Sequence, residues 1–241
     1  MAGTLHPSTE SVLAIPGLAG SPRLVHGFST AAFGSMRGEG TLALTPPRAA
    51  FAAALGLPAE RLTVVGAVHG DQVRRVDEPS GVVAGCDGLV TDRPQIPLLA
   101  TFADCYPVLL LDPGRPALAL VHSGWRGAAA GVVGAAVARL RREFDSRPGD
   151  LVAGLGPGIC GRCYEVGEEV AAVFPEEHVT PTGEGRFLLD LRSVLRAQLL
   201  AAGVPARQVH DLPLCTKETA ELASHRRSPD GARFACLAAL T

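Results

Sequence analysis

Asparagine is absent from the 241 residues, and a single lysine, Lys217, stands among 22 basic side chains. Such an arginine-rich, asparagine-poor chain reflects a GC-rich genome or suits heat, and it carries no functional message. An excess of charge is missing as well, because 22 basic side chains face 24 acidic ones. No run of five or six like charges occurs, so there is no long-range field to draw in nucleic acid or an anionic membrane. Long apolar runs are lacking too: the longest, around Ala128 to Ala138, is interrupted by glycine and is too short to span a bilayer. The opening residues Met1 to Pro7 show no basic segment leading into an apolar one. Together these absences predict a cytoplasmic protein with no nucleic-acid and no membrane partner.

What is present is a chain 47% hydrophobic and 19% charged. At this length a single domain over residues 1–241 buries about 70 to 75% of its unfolded surface. It needs neither disulfides nor a partner subunit, and a monomer is expected. Six cysteines (Cys86, Cys105, Cys160, Cys163, Cys215, Cys236) are even in number, but in a large intracellular chain they read as thiols or ligands rather than bridges.

Short β-rich runs bounded by Gly, Pro and Asp predict strands at Arg23 to Ser29, Arg61 to Val68, Gln72 to Val76, Leu98 to Phe102, Val108 to Leu111, Ala117 to Val121, Leu151 to Leu155 and Phe234 to Leu240. Helical patterns lie at Arg48 to Leu55, Gly127 to Phe144, Val166 to Phe174, Asp190 to Ala202 and Lys217 to Ala223. The fourth starts at a plausible Asp190 N-cap and ends at Gly203. Gly34 to Gly40 and Thr180 to Gly185 read as surface loops. Strands and helices mix without strict alternation, which favours a mixed sheet or sandwich over a doubly wound parallel sheet.

Three polar side chains fall at or beyond predicted strand ends: His69, Cys105 and His122. Neutral imidazole and thiolate are both good zinc ligands, and three protein ligands leave the fourth tetrahedral position free for water. Water held there has its pKa lowered toward about 7. No helix-borne HExxH or close-spaced ligand pair accompanies them. A second reading uses the same atoms as a nucleophile and base, with His122 activating Cys105 in a cysteine hydrolase. The two exclude each other, since a metal-bound thiolate is not a free nucleophile.

Ser123-Gly-Trp-Arg-Gly-Ala opens the first long helical pattern. A helix start favours an anion, and Arg126 can offer a bidentate fork to phosphate or carboxylate, while Trp125 can stack on a flat ring. Gly156-Pro-Gly is a further glycine turn of low specificity. Cys160 and Cys163 form a CxxC with no thioredoxin-like context and no second CxxC to complete a zinc site, so they read as structural. Asp87 and Asp104 read as turn or capping groups before acid catalysts. Ser224-His-Arg-Arg is either a second anion contact or a solvated end.

Taken in chain order, these runs resemble the laccase-domain family of bacterial YfiH-type proteins, also labelled multicopper polyphenol oxidases and linked to purine nucleoside phosphorylase activity. The resemblance rests on His26-Gly-Phe-Ser-Thr, Val68-His-Gly, Asp87 with Thr91, Ala103-Asp-Cys-Tyr-Pro-Val, Leu120-Val-His-Ser-Gly-Trp-Arg-Gly, Gly156-Pro-Gly-Ile, Cys163-Tyr-Glu-Val-Gly, Asp190-Leu, Cys215-Thr, Ser224-His-Arg-Arg and Arg233. It covers nearly the whole chain from Arg23 onward. It implies an α/β (α+β) fold, a mixed β-sandwich flanked by helices, of the YfiH-like (cytotoxic necrotizing factor-like) type. It also implies a zinc held by His69, Cys105 and His122, the set the chemistry suggests on its own. The activities implied are phosphorolysis of adenosine, inosine, guanosine and methylthioadenosine, with hydrolytic deamination of adenosine, so that purine nucleoside and phosphate are the partners. In that reading Cys105, Asp104 and Arg126 serve the chemistry, with Arg126 on phosphate and Asp104 shuttling a proton. The chain departs from the family at Ala67, where Gln is usual, at Ala31, where Arg is usual, and at Leu42-Ala-Leu-Thr and Pro47-Arg, which replace Asn-containing segments.

Rival readings follow from the same residues. A blue-copper centre needs two His, one Cys and a weak axial ligand, often Met, and the only internal methionine is Met36. The seven histidines form no His-x-His pair of the kind a trinuclear copper cluster draws on, so zinc is favoured over copper. A Cys/His hydrolase, such as an amidase editing peptidoglycan precursors, and a non-catalytic zinc-binding module complete the alternatives.

Overall fold

The computed structural model describes residues 11–38 and 42–241. The reading of residues 1–7 and part of the loop expected at 34–40 lie outside them. The strands are β1 (Val12–Leu13), β2 (Leu24–Ser29), β3 (Thr63–Gly66), β4 (Val73–Arg75), β5 (Gly81–Ala84), β6 (Gly88–Thr91), β7 (Leu98–Phe102), β8 (Tyr106–Asp112), β9 (Ala117–Ser123), β10 (Val152–Leu155), β11 (Glu165–Gly167), β12 (Val179–Gly183), β13 (Arg186–Leu189), β14 (Val209–Asp211) and β15 (Phe234–Leu240). The helices are α1 (Pro16–Ala19), α2 (Pro46–Ala54), α3 (Trp125–Ala129), α4 (Val132–Phe144), α5 (Glu168–Ala171) and α6 (Leu191–Ala201).

Two six-stranded sheets, ordered β1-β2-β15-β7-β3-β5 and β14-β10-β8-β9-β6-β4, carry the fold, and a three-stranded sheet β11-β13-β12 lies outside them. Both large sheets are mixed, with antiparallel β2-β15-β7 and β10-β8-β9-β6 and parallel pairs such as β3-β5 and β4-β6. The central strands β8, β9 and β15 are buried at every position because both of their faces are covered. Along β8 and β9, Leu109, Leu111, Leu118 and Leu120 meet Phe28, Leu98, Phe102 and Phe234 between the sheets. The alternate residues Val108, Leu110, Ala119 and Val121 pack instead with Val133, Val137 and Leu140 of α4 and Leu195 of α6. On the opposite side, Phe51 and Ala52 of α2 cover Leu99, Ala235 and Leu237. A mixed sandwich flanked by helices is therefore what the chain forms.

Several local expectations are corrected. The helix expected at Gly127 to Phe144 is two helices, because Gly131 takes a left-handed conformation at φ 80° and ends α3 before α4 begins. The helix expected at Val166 to Phe174 contracts to α5, since Val166 pairs with Phe187 in the small sheet. No helix forms over Lys217 to Ala223. The Arg227 guanidinium instead takes up the carbonyls of Thr216, Lys217, Thr219 and Leu222, which a helix would have bonded internally. The loop expected at Thr180 to Gly185 is largely strand β12 and its turn into β13, through Gly183, Glu184 and Gly185 at positive φ. Asp190 does cap α6, accepting from the Ser193 N–H at 3.1 Å.

Candidate metal centre

β9 lies between β8 and β6, and the registers Tyr106↔Ser123 and Gly88↔Val121 place the residues just before β8 and β6 on either side of its C-terminal end. Cys105 and Asp87 are thereby brought to His122, the penultimate residue of β9. His69 arrives from the connection between β3 and β4. The ligand atoms of His69, Cys105 and His122 all lie within 4.8 Å of one another.

Asp87 organises this cluster. It is fully buried, and Oδ1 lies 3.2 Å from Nδ1 of His122. The same carboxylate accepts backbone N–H groups of Val68 at 3.2 Å, His69 at 2.8 Å and Gly70 at 2.7 Å. Burial alone would raise its pKa, but the bonds from His122, Gly70, His69 and Val68 outweigh burial and hold it below the usual carboxylate range. An acceptor on Nδ1 leaves Nε2 of His122 free to bind a metal, the arrangement in which a carboxylate fixes the tautomer of a metal-bound histidine. The His122 ring stacks on Phe102 with centroids 5.3 Å apart and meets the edge of His69 at 5.0 Å.

Two non-glycine residues at the site sit at positive φ, His69 at 63° and Asp104 at 85°. Each left-handed residue carries strain that its surroundings must hold. The Asp87 carboxylate clamps the His69 turn. The Asp104 turn is held by its own side chain, which accepts the Thr216 hydroxyl at 2.6 Å and the Arg226 N–H at 2.7 Å. Gly124 closes the site from the start of α3: a Cβ there would lie 2.7 Å from the Cys105 sulfur.

Electrostatics suit a cation. Burial opposes ionisation of Cys105, yet His122 and His69 overcome it and bring the thiol down to about 6. Burial likewise opposes protonation of His122, but the Cys105 thiolate and Asp87 raise it to about 9. Both shifts run toward a thiolate beside an imidazolium, and a metal taking Nε2 of His122 would displace any proton there. The donor set fits zinc: one thiolate and two imidazoles are borderline-soft ligands, and three protein ligands are the open type of site. A fourth, axial sulfur for blue copper is not supplied by Met36, which is buried among Phe33, Phe51 and Leu99 beneath α2.

The remaining candidates take distinct positions. Arg126 is exposed on α3 with its guanidinium 4.4 Å from the centre of the Trp125 ring. α3 has only five residues, so the helix-start contribution expected for an anion is small. Arg226, left in the sequence as an anion contact or a solvated end, sits 5.3 Å over the Tyr164 ring and donates to the Glu165 carbonyl at 2.7 Å. Burial, followed by the Cys105 thiolate, pushes the Tyr164 hydroxyl up to about 12. Sequence reasoning missed the tie of Asp87 to His122 and the approach of Tyr164. Their only signal was membership of the quoted motifs. It also dismissed the CxxC for want of a partner, whereas the fold brings Cys215 and Glu218 to Cys160 and Cys163.

Residues 25–241 match the family described as multi-copper polyphenol oxidoreductase laccase. A Mycobacterium tuberculosis protein named purine nucleoside phosphorylase Rv2149c is 39% identical over 215 residues, covering 87% of this chain and 84% of its own length. A Streptomyces coelicolor protein, purine nucleoside phosphorylase SCO2081, is 40% identical over 84% of each chain. Among solved structures, YlmD from Geobacillus stearothermophilus superposes with a TM-score of 0.83 at 29% identity over 93% of each chain. The Bacillus licheniformis protein YfiH does so with 0.82 at 28% identity, over 90% of this chain and 93% of its own.

Proposed function

This chain belongs to the multi-copper polyphenol oxidoreductase laccase family, and we propose that it acts as a zinc-dependent purine nucleoside phosphorylase. The observation that carries the reading is the convergence of His69, Cys105 and His122, with Asp87 fixing His122 from behind. The names of its relatives supply the reaction class.

In phosphorolysis an oxygen of phosphate bonds to C1′ of the ribose, the bond from C1′ to the purine nitrogen breaks, and the purine leaves with that electron pair and takes up a proton. Zinc, when bound, supplies Lewis-acid polarisation and an activated water. His69, Cys105 and His122 would hold it. Arg126 grips the phosphate through its guanidinium fork, with Arg226 adding positive charge beside Tyr164. Tyr164, raised to about 12, keeps its proton at neutral pH and offers an O–H to the departing purine. Asp104 has both carboxylate oxygens engaged. It therefore holds the turn that presents Cys105, and a proton-shuttling part in adenosine deamination requires one of those bonds to open.

A second reading has its own observation. Cys105, His122 and Asp87 stand in the order of a thiolate, an imidazolium and an orienting carboxylate, as in a Cys/His hydrolase. His69, the third donor beside them, favours the metal. To decide, the zinc-quantified protein is incubated with adenosine, with and without phosphate, and products are identified by mass spectrometry. Adenine with ribose 1-phosphate, formed only with phosphate, is the expected result. Phosphate-independent inosine would assign deamination, and no nucleoside product with a filled site would overturn both in favour of the hydrolase or a zinc-binding module.

A further inference from the structure

Cys160 and Cys163 lie on one tight turn, closed by the Cys163 and Tyr164 N–H groups donating to the Cys160 carbonyl at 2.9 and 3.0 Å. Cys215 and Glu218 lie on a second turn of the same kind, closed by the Glu218 and Thr219 N–H groups on the Cys215 carbonyl at 3.1 and 2.9 Å. A parallel bridge between Gly158 and Cys215 sets the two turns side by side. The three sulfurs and the carboxylate then fall within 4.8 Å of one another.

We propose that Cys160, Cys163, Cys215 and Glu218 form a second, structural zinc site, separate from the cluster of His69, Cys105 and His122. Paired donors with two residues between them on tight turns are the spacing structural zinc sites use, and four donors close the tetrahedron without leaving a position for water. The Cys160 N–H donates to Cys215 Sγ at 3.3 Å, which ties the first turn to the sulfur of the second. Glu218 is already drawn in, with Oε1 3.4 Å from Cys163 Sγ. Three thiolates and a carboxylate around a dication leave a net charge of −2, which the Arg162 guanidinium, 3.1 Å from Glu218, partly offsets. Pairwise oxidation to a disulfide would leave one sulfur over and give Glu218 no part.

Such a metal would act on the first site through Asp104. Thr216, next to Cys215, donates to the Asp104 carboxylate at 2.6 Å, and the Ile159 N–H, next to Cys160, donates to the Asp104 carbonyl at 3.0 Å. Joining the two turns therefore fixes the left-handed residue that leads into Cys105.

The test uses the full chain purified without a histidine tag, with zinc per chain measured by plasma mass spectrometry. Two zinc ions per chain are expected, falling to one in Cys160→Ser and in Glu218→Gln, falling to one in Cys105→Ala, and to none in the double variant Cys105→Ala/Cys160→Ser. Cobalt added to zinc-free Cys105→Ala should give intense thiolate-to-cobalt charge-transfer absorption with tetrahedral visible bands, both lost in the double variant. If Cys105→Ala fails to fold by circular dichroism, the cobalt difference between the wild type and Cys160→Ser serves the same purpose. Unchanged metal content in both Cys160→Ser and Glu218→Gln would overturn the proposal. So would a disulfide joining Cys160 to Cys163 or Cys215 in protein prepared without oxygen. Neither result depends on which nucleoside, if any, is turned over.

Discussion

Nδ1 of His122 stands 3.2 Å from Oδ1 of Asp87, and Asp87 holds the turn of His69 as well. One carboxylate thus orients two of the three side chains in the candidate metal cluster, one through its ring and the other through its backbone. Asp87→Asn keeps the size but turns an NH₂ group toward N–H donors, so the His122 tautomer and the left-handed His69 both lose support. Zinc affinity is expected to drop about 10- to 100-fold, as for other partners of metal-bound histidines, in competition with a chromophoric chelator. Wild-type affinity in this variant would mean that the donors are held without it.

Gly124 offers a cleaner steric probe. Its backbone is extended, φ −89° and ψ −178°, so alanine meets no conformational penalty there. The added methyl would stand 2.7 Å from Cys105 Sγ and 3.4 Å from His69 Cδ2. Gly124→Ala should cost about 1–3 kcal/mol of strain, concentrated on the ligand sulfur and read as weaker zinc binding. A large loss of apo stability with unaltered zinc affinity would contradict this account.

Acid sensitivity is expected from a residue away from the centre. His26 is 6% exposed, accepts the Ile15 N–H on Nε2 at 3.0 Å, and is lowered from 6.5 to about 4 by burial. The unfolded chain binds a proton on this histidine below about pH 6.5 that the folded chain does not accept until about pH 4. Stability is therefore whole above pH 6.5 and falls as the pH drops toward 4, by about 3 kcal/mol in all at 1.36 kcal/mol per pKa unit. Denaturant titrations of wild type and His26→Gln across that window check the sign. The variant, less stable at pH 7 for lack of the native fit, should show a flatter decline.

The parts of this molecule that were legible in the sequence are those written in contiguous residues. The rows Leu98 to Phe102, Ala117 to Val121 and Phe234 to Leu240 are apolar at every position but Thr101 because sheet covers one face and helix or sheet the other, and they formed strands at or near the expected bounds. The donors His69, Cys105 and His122 stood at strand ends, and the fold gathered them. What could not be seen depended on pairing between distant segments. Asp87 looked like a turn residue, and it does cap backbone N–H groups, but its bond to His122 exists only because β6 lies beside β9. The supposed helix at Lys217 to Ala223 lost its carbonyls to Arg227, a long-range competition that local propensity does not encode. Cys215 and Glu218 were invisible as partners of the CxxC until a parallel bridge joined the two turns.

Arg126 tests the phosphate half of the proposed reaction apart from the metal. It is exposed and stacks on Trp125. If its guanidinium grips phosphate, Arg126→Ala removes charge-assisted hydrogen bonds of about 1.5–3 kcal/mol, raising the KM for phosphate about 10- to 100-fold. The KM for nucleoside should move far less and zinc content should not change. Arg126→Lys keeps the charge without the bidentate fork and should recover only part of the loss. Steady-state kinetics with phosphate varied at saturating nucleoside separate these outcomes. A phosphate KM unaffected in both variants would remove Arg126 from the anion site and leave Arg226, on the other segment beside Tyr164, to hold the phosphate.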